Sequence, residues 1–405
     1  MLTIDKEKEI RGIDWEFVDA DTSYATHNLH RYSSKYIPQI AKNLITAFSK
    51  KNDTVLDTFV GSGTTLVECK LLSRNSIGID MNPLAYLISM VKVTKISDII
   101  TRCMPNILSA IRNDIHHFRR SNKNYDAQSI LPYFTNSYQK LLKYKKIYFD
   151  YIDSWFQPQV IEELCIIREH LSRIKDENLK KLCICGFSGI LRSVSNAKTD
   201  YGNLMVDKER RKIKNTFEVF EKQIAKIVAG LTEFSVKADD KVFSKVYLAN
   251  SNNIDFIPSS SIDLIVTHPP YIGAVPYAEY QKLSLNWLRE SFPEIIQNGF
   301  SKYLIPKELD KDILGGRRRD KNVVARFYDD MKKILREMHR VLKKTKFCCI
   351  VIGNPVVFGE RIELHNKLKD FGREANLIFE QEIIRGKYRT TMGKMKEEYI
   401  LIFKK

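Results

Sequence analysis

No stretch of the 405 residues approaches the roughly 18 uninterrupted apolar residues of a membrane span, so an integral membrane protein is not expected. The opening MLTIDKEKEIRGIDW is too charged for a secretory signal, and the cytoplasm is the expected compartment. Cysteine is sparse. Its seven residues stand singly or as Cys183-Ile184-Cys185 and Cys348-Cys349, inside apolar periodic segments. Neither spacing suits a zinc knuckle, so no metal is expected and buried free thiols are the reading. Acidic residues are in deficit: 49 Asp and Glu against 66 Lys and Arg leave a formal net charge of +17, which favours a polyanionic partner. The 43% hydrophobic and 28% charged fractions set disorder aside, and the length suits one large domain or a domain with a big insertion.

What is present is organised around Val55 to Asp80, VLDTFVGSGTTLVECKLLSRNSIGID. An apolar run ends in Asp57, crosses the turn Gly61-Ser62-Gly63-Thr64-Thr65, continues as a helix, and returns as a strand ending in Asp80. This strand-loop-helix-strand unit is a nucleoside pocket in outline: the glycines let backbone approach a ligand, and a carboxylate at Asp80 can accept both hydroxyls of a ribose. No Lys follows the second glycine as a phosphate-binding P-loop requires, and the spacing is not GxGxxG, which argues against ATP and NAD. A second buried strand and loop lie far downstream, Ile262 to Tyr271, IDLIVTHPPY.

Together the two stretches resemble the amino-methyltransferases, which use S-adenosylmethionine (SAM) to methylate exocyclic amines of adenine or cytosine in DNA; the family's patterns are DPFxGSGTT and (D/N/S)PP(Y/F). The resemblance covers about Thr26 to Met90 and Lys245 to Lys405. It implies an α/β fold with a Rossmann-like, mostly parallel sheet and a C-terminal antiparallel strand pair, formed by residues 1–96 and 242–405. It implies SAM as cofactor, held by Asp57, Phe59, Gly61, Ser62, Gly63 and Thr64, with Asp80 on the ribose and Met81 and Asn82, or Pro83, beside the purine. Upstream, His30, Tyr32, Lys35, Tyr36 and Pro38 match the family's H-x-Y-x-x-K-(F/Y)-x-P segment, placing His30 and Lys35 at the cofactor. Asn250 stands where the family often carries an acid near the adenine.

Methylating an aromatic amine is difficult because the nitrogen lone pair is delocalised into the ring. Acceptors that hold the amine protons, one a side chain and one a backbone carbonyl stiffened by two prolines, can aim that lone pair at the methyl group. The resemblance assigns this to His268, Pro269 and Pro270, and stacking on a flipped base to Tyr271. His268 departs from the family's Asp, Asn or Ser. A neutral imidazole has one acceptor nitrogen and an imidazolium none, so transfer is expected to fail below about pH 6.5. Thr58 likewise replaces the family's Pro. Thr267 before the loop resembles TSPPY-like members and inclines the base toward cytosine N4.

Residues 97–241 lack strand alternation and read as a helical insertion, either a DNA target-recognition module or helices with solvated basic faces. Further strands are expected at Lys245 to Leu248, Asn250-Ser251 and Asp255 to Pro258. The basic runs Arg317-Arg318-Arg319 and Arg385 to Arg389 are candidate DNA contacts. Double-stranded DNA is the expected partner, with a cognate restriction nuclease. An RNA base-amine methyltransferase and an inactive SAM- or DNA-binding subunit are the alternatives.

Overall fold

The computed structural model describes residues 4–33, 35–121, 147, 149–198, 204–207, 215–273, 276–296, 299–316, 320–386 and 397–405. The chain divides into two units, one of residues 1–95, 230–285 and 296–405, the other of 96–229 and 286–295.

The first unit holds a seven-stranded sheet. Its strands are β1 (Thr54–Asp57), β2 (Asn75–Asp80), β3 (Ser244–Leu248), β4 (Ile262–Thr267), β5 (Leu342–Gly353), β8 (Ile378–Arg385) and β9 (Glu398–Lys404), ordered 3-2-1-4-5-9-8. A separate two-stranded ribbon pairs β6 (Val356–Val357) with β7 (Glu360–Arg361). Strands β1 to β5 of the main sheet run parallel, while β9 is antiparallel to both β5 and β8. This is the α/β sheet with a terminal antiparallel pair that the sequence implies. Chain order reverses between β1 and β4, where a crevice opens beyond the carboxyl ends of the strands.

Alternation along the strands builds two cores. Leu56, Ile265, Cys348, Ile350, Leu401 and Phe403 face one side, with Phe327, Met331, Leu335 and Met338 of the helix Val323–Val341. Val55, Leu264, Val266, Cys349, Ile400 and Ile402 face the other, against Ile40, Leu44 and Phe48 of the helix Pro38–Phe48. Burial on both faces explains why Leu264, Ile265 and Val266 of β4 are apolar in succession rather than alternating with polar residues.

Two expected strands are absent. Asn250-Ser251 and Asp255 to Pro258 are turns: the Asn250 side chain accepts from Asn252 N at 3.1 Å and that of Asn253 from Asp255 N at 3.2 Å, local bonds that replace a ladder. The thiols are free and mostly buried, with Cys103 exposed.

The second unit is helical, with Asp98–Ser121, Pro158–Ser172 and Glu177–Val194 its main complete helices. Its core gathers Phe149, Phe156 and Phe187 edge-on around Trp287. Buried Glu163 takes Arg119 Nε at 2.8 Å, so that arginine is spent within the unit. Residues 192–198 end a helix: Ser195 Oγ donates to Arg192 O and accepts from Ala197 N. The basic residues Lys140 to Lys146 and Lys208 to Lys214 lie outside the described residues. The helix Thr216–Lys237 passes into the first unit at Gly230, because Phe234 is buried there with Ala25, Leu66 and Val67. No helix among the described residues is long and apolar enough to cross a membrane.

Candidate active site

Three loops meet at the crevice between β1 and β4. After β1 the chain turns through Phe59 to Gly63 into the helix Thr64–Leu71. Gly61 and Gly63 have φ of +48° and +82°, the left-handed region that glycine enters without Cβ strain. A Cβ at Gly63 would also lie 3.1 Å from Ser89 Cα, so this glycine lets the loop lie against the helix Pro83–Lys92. Loop, sheet edge and neighbouring segments border a cavity of about 830 Å³ that opens to solvent, walled by Lys35, Phe59, Gly61, Ser62, Thr64, Asp80, Met81, Asn250, His268 and Pro270 among others.

Asp80 ends β2 at this wall. Its Oδ2 accepts from Gly61 N and its Oδ1 from Asn82 N, each at 2.9 Å, so it shapes the loop as well as facing the cavity. Burial pushes its pKa up to about 6 despite these bonds. Ser62 Oγ is buried and meets no hydrogen-bond partner among the described residues. Lys35 Nζ donates to His27 O at 3.0 Å and still lines the cavity.

Several residues expected at the cofactor lie elsewhere. Asp57 is 1% exposed and does not line the cavity. Its oxygens accept from Thr65 Oγ1, from Thr267 Oγ1 at 2.7 Å and from Phe59 N at 3.0 Å, and burial raises its pKa to about 6. It braces the loops. Asn82 is the fully buried cap of its helix, accepting from Leu84 N at 3.0 Å and donating to Gln281 Oε1 at 2.6 Å. His30 is buried with Nδ1 2.8 Å from Arg31 O. Gly63 shapes the loop without lining the cavity.

The second loop, after β4, differs from expectation in its aromatic. Tyr271 is buried in the core beneath the sheet edge and Pro269 beside it is buried too, while His268 and Pro270 line the cavity. The phenol of Tyr271 donates to Glu398 Oε1 at 2.8 Å and sits 2.8 Å from His268 Nε2. Burial holds the His268 pKa below its ordinary value, with Glu398 opposing and Arg385 reinforcing the shift. An open-sided aromatic does reach the cavity: partly exposed Tyr277 lines it, whereas Tyr280 does not.

Tyr36 lines the cavity, hydrogen-bonds Thr65 and sets its ring 5.3 Å from that of His268. Asp312 and Asp330 also reach the wall. No periodicity or motif singled out these two acids. Arg385, expected to contact DNA, is 3% exposed; Nε donates to Trp15 O at 2.6 Å and Nη1 pairs with Glu398. A guanidinium so enclosed is not displayed to a phosphate backbone. Arg317, Arg318, Arg319 and Arg389 lie outside the described residues. Among the described residues no cluster could hold a metal.

A DNA methylase family model matches residues 5–92. The type II methyltransferase M.MvaI of Kocuria varians is 26% identical over 386 residues, covering 84% of this chain and 79% of that protein. M.MjaII of Methanocaldococcus jannaschii is 24% identical over 344 residues, covering 66% and 64%. Among solved structures, a SAM-dependent methyltransferase of Methanosarcina mazei aligns over 89% of this chain and 96% of its own, at 10% identity and a TM-score of 0.34. Over these lengths the chain is similar to DNA amino-methyltransferases of the restriction-modification type.

Proposed function

We propose that this chain methylates the exocyclic amine of a base flipped out of double-stranded DNA, cytosine N4 in preference to adenine N6. One juxtaposition carries the reading: the glycine loop after β1, the carboxylate ending β2 and the His-Pro-Pro loop after β4 open on one cavity of about 830 Å³. The family's donor is SAM, whose sulfonium makes its methyl group electrophilic. The residues fit it. Ser62 leaves a buried hydroxyl unsatisfied at the wall, which a polar ligand group would satisfy. Asp80 presents a carboxylate to ribose hydroxyls, and Lys35 a cation to an amino-acid carboxylate.

His268 accepts a hydrogen bond from the target amine and takes its proton as the nitrogen is alkylated; a Pro-stiffened carbonyl of the same loop holds the second proton. Tyr277 supplies the stacking face that buried Tyr271 does not. The preference for cytosine rests on Thr267 preceding the loop. A cognate restriction nuclease cutting the same sites is the proposed partner.

The test is incubation of the purified protein with SAM and unmethylated DNA, read by nucleoside mass spectrometry. N4-methylcytosine is expected. N6-methyladenine would correct the base, and no product on DNA with methylation of RNA would move the substrate class.

A further inference from the structure

Behind His268 runs a line of side chains from three places in the sequence, with Tyr271 and Arg385 buried and Glu398 partly exposed. Arg385, at the end of β8, is fixed by Trp15 O and ion-pairs with Glu398 Oε2. Glu398 opens β9, and because β9 is antiparallel to β5 its first residue lies opposite Gly353, at the edge where the parallel strands end. Its Oε1 accepts from Tyr271 Oη at 2.8 Å, across 127 residues of sequence. The same phenol oxygen lies 2.8 Å from His268 Nε2.

The protons along this line have one consistent arrangement. A carboxylate paired with a guanidinium offers only acceptors, so the single phenolic proton of Tyr271 points to Glu398. The phenol oxygen then faces His268 as an acceptor, and Nε2 must carry the imidazole hydrogen. No partner meets Nδ1 among the described residues, and the histidine lines the cavity.

We propose that Tyr271 and Glu398 are positioning residues that lock His268 in its Nε2–H tautomer, leaving the Nδ1 lone pair to accept the target amine's proton. This rests on the reading of His268 as the side chain at the amine. An Asp, Asn or Ser in its place keeps an acceptor oxygen without help, whereas a neutral imidazole keeps one only in a single tautomer. The wrong tautomer would set N–H against N–H. Tyr36, its ring centroid 5.3 Å from that of His268, flanks the imidazole.

The full chain with 15N-labelled histidine tests this through two-bond proton–nitrogen correlation at a pH above the histidine's titration, His268 being assigned by the signal lost in His268→Asn. The Nε2–H pattern is expected in the unaltered protein. Tyr271→Phe removes the acceptor and should mix the tautomers. Glu398→Ala frees the phenol to donate to Nε2 and should invert the pattern. Both variants should lower kcat by about ten-fold or more while SAM binding stays within about two-fold, the outcome for residues acting through His268 alone.

An Nδ1–H pattern or an imidazolium in the unaltered protein overturns the proposal, as does an Nε2–H pattern unchanged in both variants. The tautomer is read without turnover. An Nε2–H pattern that responds as described in a protein that methylates no DNA would uphold the lock and reject the methyltransferase reading.

Discussion

Thr267 Oγ1 donates to Asp57 Oδ1 over 2.7 Å, joining the ends of two strands that are neighbours in the sheet and 210 residues apart in the chain. The other oxygen of Asp57 takes Thr65 Oγ1, so one buried carboxylate ties the start of the His-Pro-Pro loop to the glycine loop and to the helix that follows it. The first acid of the glycine motif thus acts on the cavity only through the loops it holds.

Thr267→Val keeps shape and removes the hydroxyl. A buried carboxylate then loses one of its donors, and unfolding free energy should fall by about 1–3 kcal/mol. Urea unfolding with an unchanged m-value checks it. SAM affinity should change little, because neither Thr267 nor Asp57 lines the cavity. An unaltered unfolding midpoint would remove the brace from the account.

The two glycines of the loop should differ. Gly61→Ala meets Tyr32 Cε1 at 3.4 Å, ordinary contact, and carries mainly the cost of φ at +48°. Gly63→Ala adds contacts of 3.1 Å with Ser89 Cα and Cβ to a φ of +82°. Strain of about 1 kcal/mol is expected for the first and about 2–3 kcal/mol for the second. Thermal unfolding of the two variants side by side decides it; equal losses would mean the helix Pro83–Lys92 gives way freely.

Much of this was legible in the chain. The glycine turn, the acid at the end of β2 and the Pro-Pro loop each carry a local pattern, and the terminal strand pair followed from the family resemblance that these carry. Register was not legible. Glu398 is one acid among many until β9 is known to run antiparallel beside β5, and Arg385 looks like part of a basic run until its side chain is seen turned inward to Glu398. Asp57 and Asn82 misled for a related reason: polar residues beside a ligand loop are as often spent on shaping it as on touching the ligand, and sequence does not say which way they point.

Asp80 should control cofactor affinity. Losing a charge-assisted hydrogen bond costs about 1.5–3 kcal/mol, so Asp80→Ala should weaken SAM binding roughly ten- to hundred-fold. In the unaltered protein the carboxylate takes a proton as pH falls through about 6, and affinity should drop below that point. Calorimetric titration from about pH 7.5 to about pH 5 checks both, the pH dependence vanishing in the variant. Affinity level across that range would place the ribose elsewhere.

His268 should set the acid limit of methyl transfer, and the structure moves that limit. An ordinary imidazole would lose its acceptor near pH 6.5. Here burial disfavours the imidazolium; Glu398, 3.8 Å from Nε2, pulls the other way, Arg385 adds to the burial, and the net shift is downward. Since the neutral ring is the competent form, activity persists above the folded pKa and is lost as pH falls through it. Single-turnover rates at saturating SAM and DNA should therefore hold their plateau through about pH 6.5 and decline only below it. Saturation matters because it removes the separate loss of affinity through Asp80. His268→Asn, which keeps a hydrogen-bond acceptor but has no titrating group, should abolish the limb at a lowered plateau rate. A limb centred at or above pH 6.5, or one that survives in His268→Asn, would take the amine's proton away from this histidine.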